Sequence, residues 1–173
     1  MFCGRAEIRE PRILYRAERS DGGWGPPTEL FPGMYATSAL DGTLYYTMEG
    51  EGRDYGAIVR RAWTGQGYGE PEVVGGEGIN TPAPDAHPWI APDGQLLLFD
   101  SYRDPGMGIY ASFRRPDGSW GRAVPLGDRL GIPPVGQPAM SHDLKYLFFC
   151  LAGDMYWVDA SFLAELRRTS VGD

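Results

Sequence analysis

Nine polar residues stand where a fold that gathered them would have a chemical site: Glu49, Glu51, Arg53, Asp54, Asp85, His87, Arg103, Asp104 and Gln137. Paired carboxylates in one cleft can do acid–base work on a glycosidic bond. A guanidinium beside a carboxylate either receives an anionic group or braces a loop. Arg53-Asp54 recurs as Arg103-Asp104 fifty residues later, and a repeated pair reads as a loop brace first. Asp85 and His87 are metal-ligand types. Yet the chain has two histidines and no His-x-x-x-His or Cys-x-x-Cys spacing, so neither metal nor cofactor is assigned. His87 precedes Pro88 at an expected strand start, a place for a structural hydrogen bond.

No nucleophile constellation accompanies them. Ser101, Ser112 and Ser141 lack the Gly-x-Ser-x-Gly elbow. Gly65-Gln66-Gly67-Tyr68-Gly69 joins two expected strands, whereas a phosphate cradle needs a following helix. Cys3 and Cys150 fall at the same strand position in different units, too far apart to bond, so both are expected as free thiols. Trp24, Trp89, Trp120 and Trp157 read as packing residues. Trp63, beside Thr64-Gly65, is the tryptophan expected to be exposed for sugar stacking.

The elements that position these residues repeat. Ser38-Ala39-Leu40-Asp41-Gly42-Thr43-Leu44-Tyr45-Tyr46-Thr47 aligns with Ile90-Ala91-Pro92-Asp93-Gly94-Gln95-Leu96-Leu97-Leu98-Phe99 and with Met140-Ser141-His142-Asp143-Leu144-Lys145-Tyr146-Leu147-Phe148-Phe149. Asp41, Asp93 and Asp143 are thus 52 and then 50 residues apart. Ile13 and Trp24 match Ile109 and Trp120 at one offset of 96. Asp-Gly suits a tight hairpin because glycine accepts positive φ. The run after each turn (43–48, 95–100, 145–150) is almost continuously apolar, as expected of strands covered on both faces. Further strands are expected before it (88–91, 138–141) and after it (57–63, 108–114, 154–159, then 68–74 and 119–124), with a short C-terminal helix over 160–168. Four strands per unit of about fifty residues is propeller-blade spacing.

Ala91-Pro92-Asp93-Gly94, its Leu-rich strand and Gly108-Ile109-Tyr110 resemble the Pro-Asp, WD-repeat-like repeat of TolB-like six-bladed β-propellers. Phe113-Arg114-Arg115-Pro116-Asp117-Gly118-Ser119-Trp120 and the run from Lys145 to Phe162 look like later segments of such proteins. The chain departs from the pattern at His142, Leu144 and Ala39-Leu40. The resemblance implies an all-β fold of four-stranded antiparallel blades and a periplasmic or extracellular location. Residues 1–173 would form one partial propeller of about three blades, resembling the C-terminal half of the family. Its parts are an incomplete blade at 1–34, a full blade at 35–86, a full or shared blade at 87–137, and closing strands with a short helix at 138–173. Propellers close with four to eight blades. Either the chain is part of a longer propeller, or two copies complete a six-bladed ring as a homodimer.

Composition narrows the partners. The 173 residues carry 16 basic and 23 acidic side chains, a net charge of −7, and Lys145 is the one lysine. A nucleic-acid binder would need a basic stripe, so none is expected as a partner. Aromatics at 13%, with 25 glycines and 15 prolines, suit a loop-rich β protein better than a helical bundle. No apolar run is long enough for a membrane span, and Met1-Phe2-Cys3-Gly4-Arg5 shows no signal-peptide pattern. Propeller topology would collect 49–56, 75–87, 101–107, 125–137 and 151–153 on one face. The expected function is a non-catalytic binding module taking a protein, peptide or glycan there, through Arg53, Asp54, Asp85, His87, Arg103, Asp104 and Gln137. The alternatives are a glycan-directed hydrolase or lyase using channel carboxylates, and a truncated remnant of a longer propeller.

Overall fold

The computed structural model describes residues 11–49, 56–103, 106–131 and 135–170. It is built almost wholly of small antiparallel sheets. A ribbon pairs β1 (Ile13–Arg16) with β4 (Thr28–Pro32), and the short hairpin β2 (Arg19–Ser20) and β3 (Gly23–Trp24) lies between them in sequence. Sheet A follows as the meander β5 (Met34–Ser38), β6 (Leu44–Met48), β7 (Ala57–Arg61) and β8 (Glu72–Val73). Sheet B repeats that order with β9 (Asp85–Ile90), β10 (Leu96–Ser101), β11 (Gly108–Phe113) and β12 (Val124–Pro125). After a single helical turn, α1 (Gly127–Leu130), sheet C has three strands: β13 (Gly136–Met140), β14 (Tyr146–Leu151) and β15 (Asp154–Asp159). The helix α2 (Phe162–Ser170) ends the described chain. No described helix is long and apolar enough to cross a membrane.

The apolar runs form the second strand of each sheet, and alternation divides their side chains between two faces. In sheet B, Leu97 and Phe99 pack with Tyr45 and Ile58 of sheet A. Leu98, Ile109 and Phe113 pack with Leu147 and Phe149 of sheet C and with Leu163 and Leu166 of α2. Sheet B therefore has a core on either side. This explains why β10 is buried residue after residue.

Two expectations shift. The fourth strands shrink to Glu72–Val73 and Val124–Pro125, with Tyr68 and Trp120 joined only by isolated bridges to Trp63 and Arg114. Prolines at 71 and 125 remove ladder donors there. The first strands begin earlier than expected, at Asp85 and Gly136, because each contains a bulge that lets pairing resume upstream of the proline.

The first strands of neighbouring sheets are tied side chain to backbone. The Thr37 hydroxyl donates to the Pro88 carbonyl (3.1 Å) and accepts the Ile90 N–H (3.2 Å). The His87 N–H donates to Thr47 Oγ1 (3.1 Å), and the Gln137 N–H donates to Asp100 Oδ2 (2.8 Å). Strand register puts Thr47 and Asp100 at equivalent places, opposite Met34 and Ala86. The same kind of bond thus joins A to B and B to C.

Candidate binding site on the first strands

Each first strand carries one non-glycine residue with a left-handed backbone: Tyr35 (φ 55°), His87 (φ 49°) and Gln137 (φ 57°). They are separated by 52 and 50 residues, the spacing of the turn aspartates. Each lies in the bulge of its strand, where two residues oppose one on the partner. A non-glycine residue there costs about 1–2 kcal/mol. Three such residues at one level of three adjacent strands mean that the strain recurs with the architecture.

The row is a connected group. The rings of Tyr35 and His87 lie 3.9 Å apart between centroids, tilted by 42°. His87 Nδ1 is 2.9 Å from Asp100 Oδ2 and 3.1 Å from Oδ1. The Asp100 side chain is 1% exposed and also accepts the Gln137 amide. A carboxylate against Nδ1 holds the proton on that nitrogen, which leaves Nε2 as an acceptor. Nε2 is buried beside Tyr35 and has no protein partner. Tyr35 and Gln137 are exposed. A hydroxyl or amide donor that displaced the Tyr35 ring would complete the imidazole's bonding, and the phenol offers an apolar face for stacking.

Asp85 and Arg103 form a separate unit. Asp85 Oδ1 accepts from Arg103 Nη2 (2.7 Å), and Oδ2 accepts from the Thr81 N–H (2.6 Å) and hydroxyl (2.8 Å). Arg103 Nε donates to Ser101 Oγ (2.8 Å), and its guanidinium lies 4.0 Å from the Tyr110 ring centroid. Both carboxylate oxygens of Asp85 accept, so this is a buried brace between the segment before β9 and the one after β10. Glu49 is exposed, 3.8 Å from Arg12. Glu51, Arg53, Asp54 and Asp104 lie outside the described residues. So does Cys3, while Cys150 is a free thiol. Ser112 is buried and donates to the Gly121 carbonyl (2.8 Å); Ser141 Oγ donates to Asp143 Oδ1 (2.7 Å).

The tryptophan expectations need correction. Trp63 is half-buried, packed edge-to-face with Tyr68 and with the Arg16 guanidinium 5.4 Å from its ring centroid, so it is less open than expected. Trp120 is buried as expected, but Trp24 is 73% and Trp157 61% exposed. Trp24 lies on a two-stranded hairpin, and Trp157 on a strand that is at the edge of its sheet among the described residues. Sequence reasoning selected His87 and Gln137 and passed over Tyr35, Thr47 and Asp100. The signal for Tyr35 was present: it stands 52 residues before His87, as Asp41 stands before Asp93. Asp100 gave a weaker one, as a lone carboxylate closing an apolar run.

Among the described residues no three His, Cys, Asp or Glu side chains form a metal-binding group. The carboxylates with lowered pKa belong to turns, not to this row: Asp117 is held down by Ser119, Asp159 by Ser161, and Asp143 by Ser141. No protein-family model matches the chain, and no curated protein matches it either.

Proposed function

We propose that the chain is a run of TolB-like β-propeller blades that acts as a non-catalytic binding module outside the cytoplasm, taking a protein, peptide or glycan at the Tyr35–His87–Gln137 row. The single observation that carries this reading is the strained row itself, with a buried carboxylate orienting an imidazole whose outer nitrogen lacks a partner. Strain kept at three equivalent positions costs stability, and a ligand that contacts those side chains gives it a use. Two consecutive four-stranded meanders, with their first strands bonded together, support the blade reading.

The competing reading, a glycan-directed hydrolase or lyase, needs free carboxylates. Asp85 is committed to Arg103 and Thr81, and Asp100 to His87 and the Gln137 amide. Among the described residues, the commitment of these two buried carboxylates favours binding over catalysis. The test is a screen of the protein against glycan and peptide arrays, followed by titration of the strongest binder. Tyr35→Ala and His87→Ala should each weaken that binder at least tenfold, about 1.4 kcal/mol or more. Binding untouched by both variants, or turnover of an arrayed glycan, would refute the proposal.

A further inference from the structure

Strand register shows what each sheet presents to the next. Tyr45 of A and Leu98 of B are equivalent, opposite Thr37 and Trp89, and are 1% and 0% exposed. Phe148 of C, opposite Ala139, takes the same place. Ile58 and Ile109, opposite Thr47 and Asp100, are 0% and 1% exposed. Their equivalent in C is Met155, opposite Cys150, and it is 73% exposed. Beside it Trp157 is 61% exposed and Tyr146 38%. The positions that bury the A–B and B–C contacts thus form, on C, an open aromatic face. Among the described residues its rim strand β15 pairs only with β14, whereas β7 and β11, at the same place in A and B, have β8 and β12 beside them. A wide apolar face joined to an unpaired edge is a surface built to be covered.

What covers such a face in A and B is the opposite side of another sheet of the same kind: Leu97 and Phe99 of B, then Leu147 and Phe149 of C. The β1/β4 ribbon can supply that side. Leu14 and Phe31 are paired and lie against Tyr46 of sheet A. Alternation turns Ile13, paired with Pro32, the other way. Of the exposed arginines on the ribbon and its hairpin, Arg12 and Arg16 already pair with Glu49 and Glu18, which leaves the exposed Arg19 opposite in sign to Asp154 and Asp159 at the two ends of β15.

We infer that a second copy of this chain covers the open face of sheet C with its β1/β4 ribbon, head to tail, so that two copies each bury the other's Met155 and Trp157. The inference rests on the blade-stacking part of the proposed function and adds which surfaces meet. Its readout is mass, so it fails or stands separately from ligand binding. A heterologous contact of this kind closes only if the rotation suits two copies.

Light scattering on a sizing column, at micromolar concentration, should show one species of twice the 19.1 kDa of a single chain. The double variant Met155→Asp with Trp157→Asp should halve that mass, and Ile13→Asp, on the other side of the contact, should do the same. Hydrogen exchange of the unmodified chain gives a check that needs no variant: β15 amides should be protected when concentrated and exchange faster on dilution. A single-chain mass, a ladder of increasing masses, or β15 exchange independent of concentration would each overturn the inference.

Discussion

At the scale of single residues, the turns and bulges carry most of what is specific to this chain. Gly42 and Gly94 have positive φ in the first two hairpin turns, and the third places Leu144 there at φ 60°. A leucine in that region is strained, and Leu144 is 43% exposed, so little packing compensates. Leu144→Gly should raise stability by about 0.5–1 kcal/mol after glycine's own entropic cost; chemical denaturation would read it, and a loss would show that Leu144 packs more than its exposure implies. Gly136 is required for a different reason. A Cβ there would lie 2.6 Å from Asp100 Oδ2 and 3.0 Å from Met107 Sδ. Asp100 is held by His87 and the Gln137 amide and cannot retreat. Gly136→Ala should therefore cost about 1–3 kcal/mol and weaken the His87–Asp100 contact, seen as a shift of the His87 ring signals by NMR.

The same turns set a pH dependence. The Ser141 hydroxyl, then Lys145, lower the Asp143 pKa from 3.8 to about 2. A pKa lower in the folded chain than in the unfolded one means stability that is complete above about 4 and is lost as pH falls through about 2. An NMR titration should find the Asp143 midpoint near 2, and Ser141→Ala should move it upward. No movement would reassign the shift to Lys145.

At the scale of elements, bonds from the first strand of one sheet to the sheet before it do what helices do in other folds: they set the distance between layers. The bulges of β9 and β13 each leave one backbone N–H, of His87 and of Gln137, to a side chain of the preceding sheet. The segment before β9 needs its own anchor, and the Asp85–Arg103 pair supplies it. Asp85 is 1% exposed, so removing its partner strands a buried carboxylate. Arg103→Met should cost about 3 kcal/mol, whereas Arg16→Met, which breaks an exposed pair with Glu18, should cost under about 1 kcal/mol. Equal losses in denaturant melts would mean that Arg103 acts by packing on Tyr110 rather than by charge.

At the scale of the whole molecule, two apolar clusters meet at sheet B, and α2 closes the second of them. Leu163 and Leu166 lie on one side of α2, 6% and 2% exposed. Glu165 in its first turn and Arg167 and Arg168 in its last suit the helix dipole. Leu166→Ala should cost about 2–4 kcal/mol and act locally. Hydrogen exchange should show β14 and β15 losing protection first, while β6, which packs in the other cluster, keeps its own. Uniform loss would mean that the sheets unfold as one unit.

Residue types in order were enough to determine the central strands of each sheet, the hairpin turns and the all-β class, because alternation and turn chemistry act between near neighbours, whereas the first and fourth strands took their bounds from bulges and prolines. Tyr46, Leu98 and Leu147 read as buried from their runs alone, and they are. The turn aspartates and the repeat spacing were equally legible. Only the tertiary structure decided that Asp85 belongs to Arg103, that Asp100 orients His87, and that Tyr35 stacks on that ring. Each of those contacts joins residues whose proximity depends on how one sheet lies against the next. The exposure of Met155 and Trp157 was hidden for the same reason: their sequence matches buried strands, and only the position of sheet C, with no described sheet beyond it, leaves that face open.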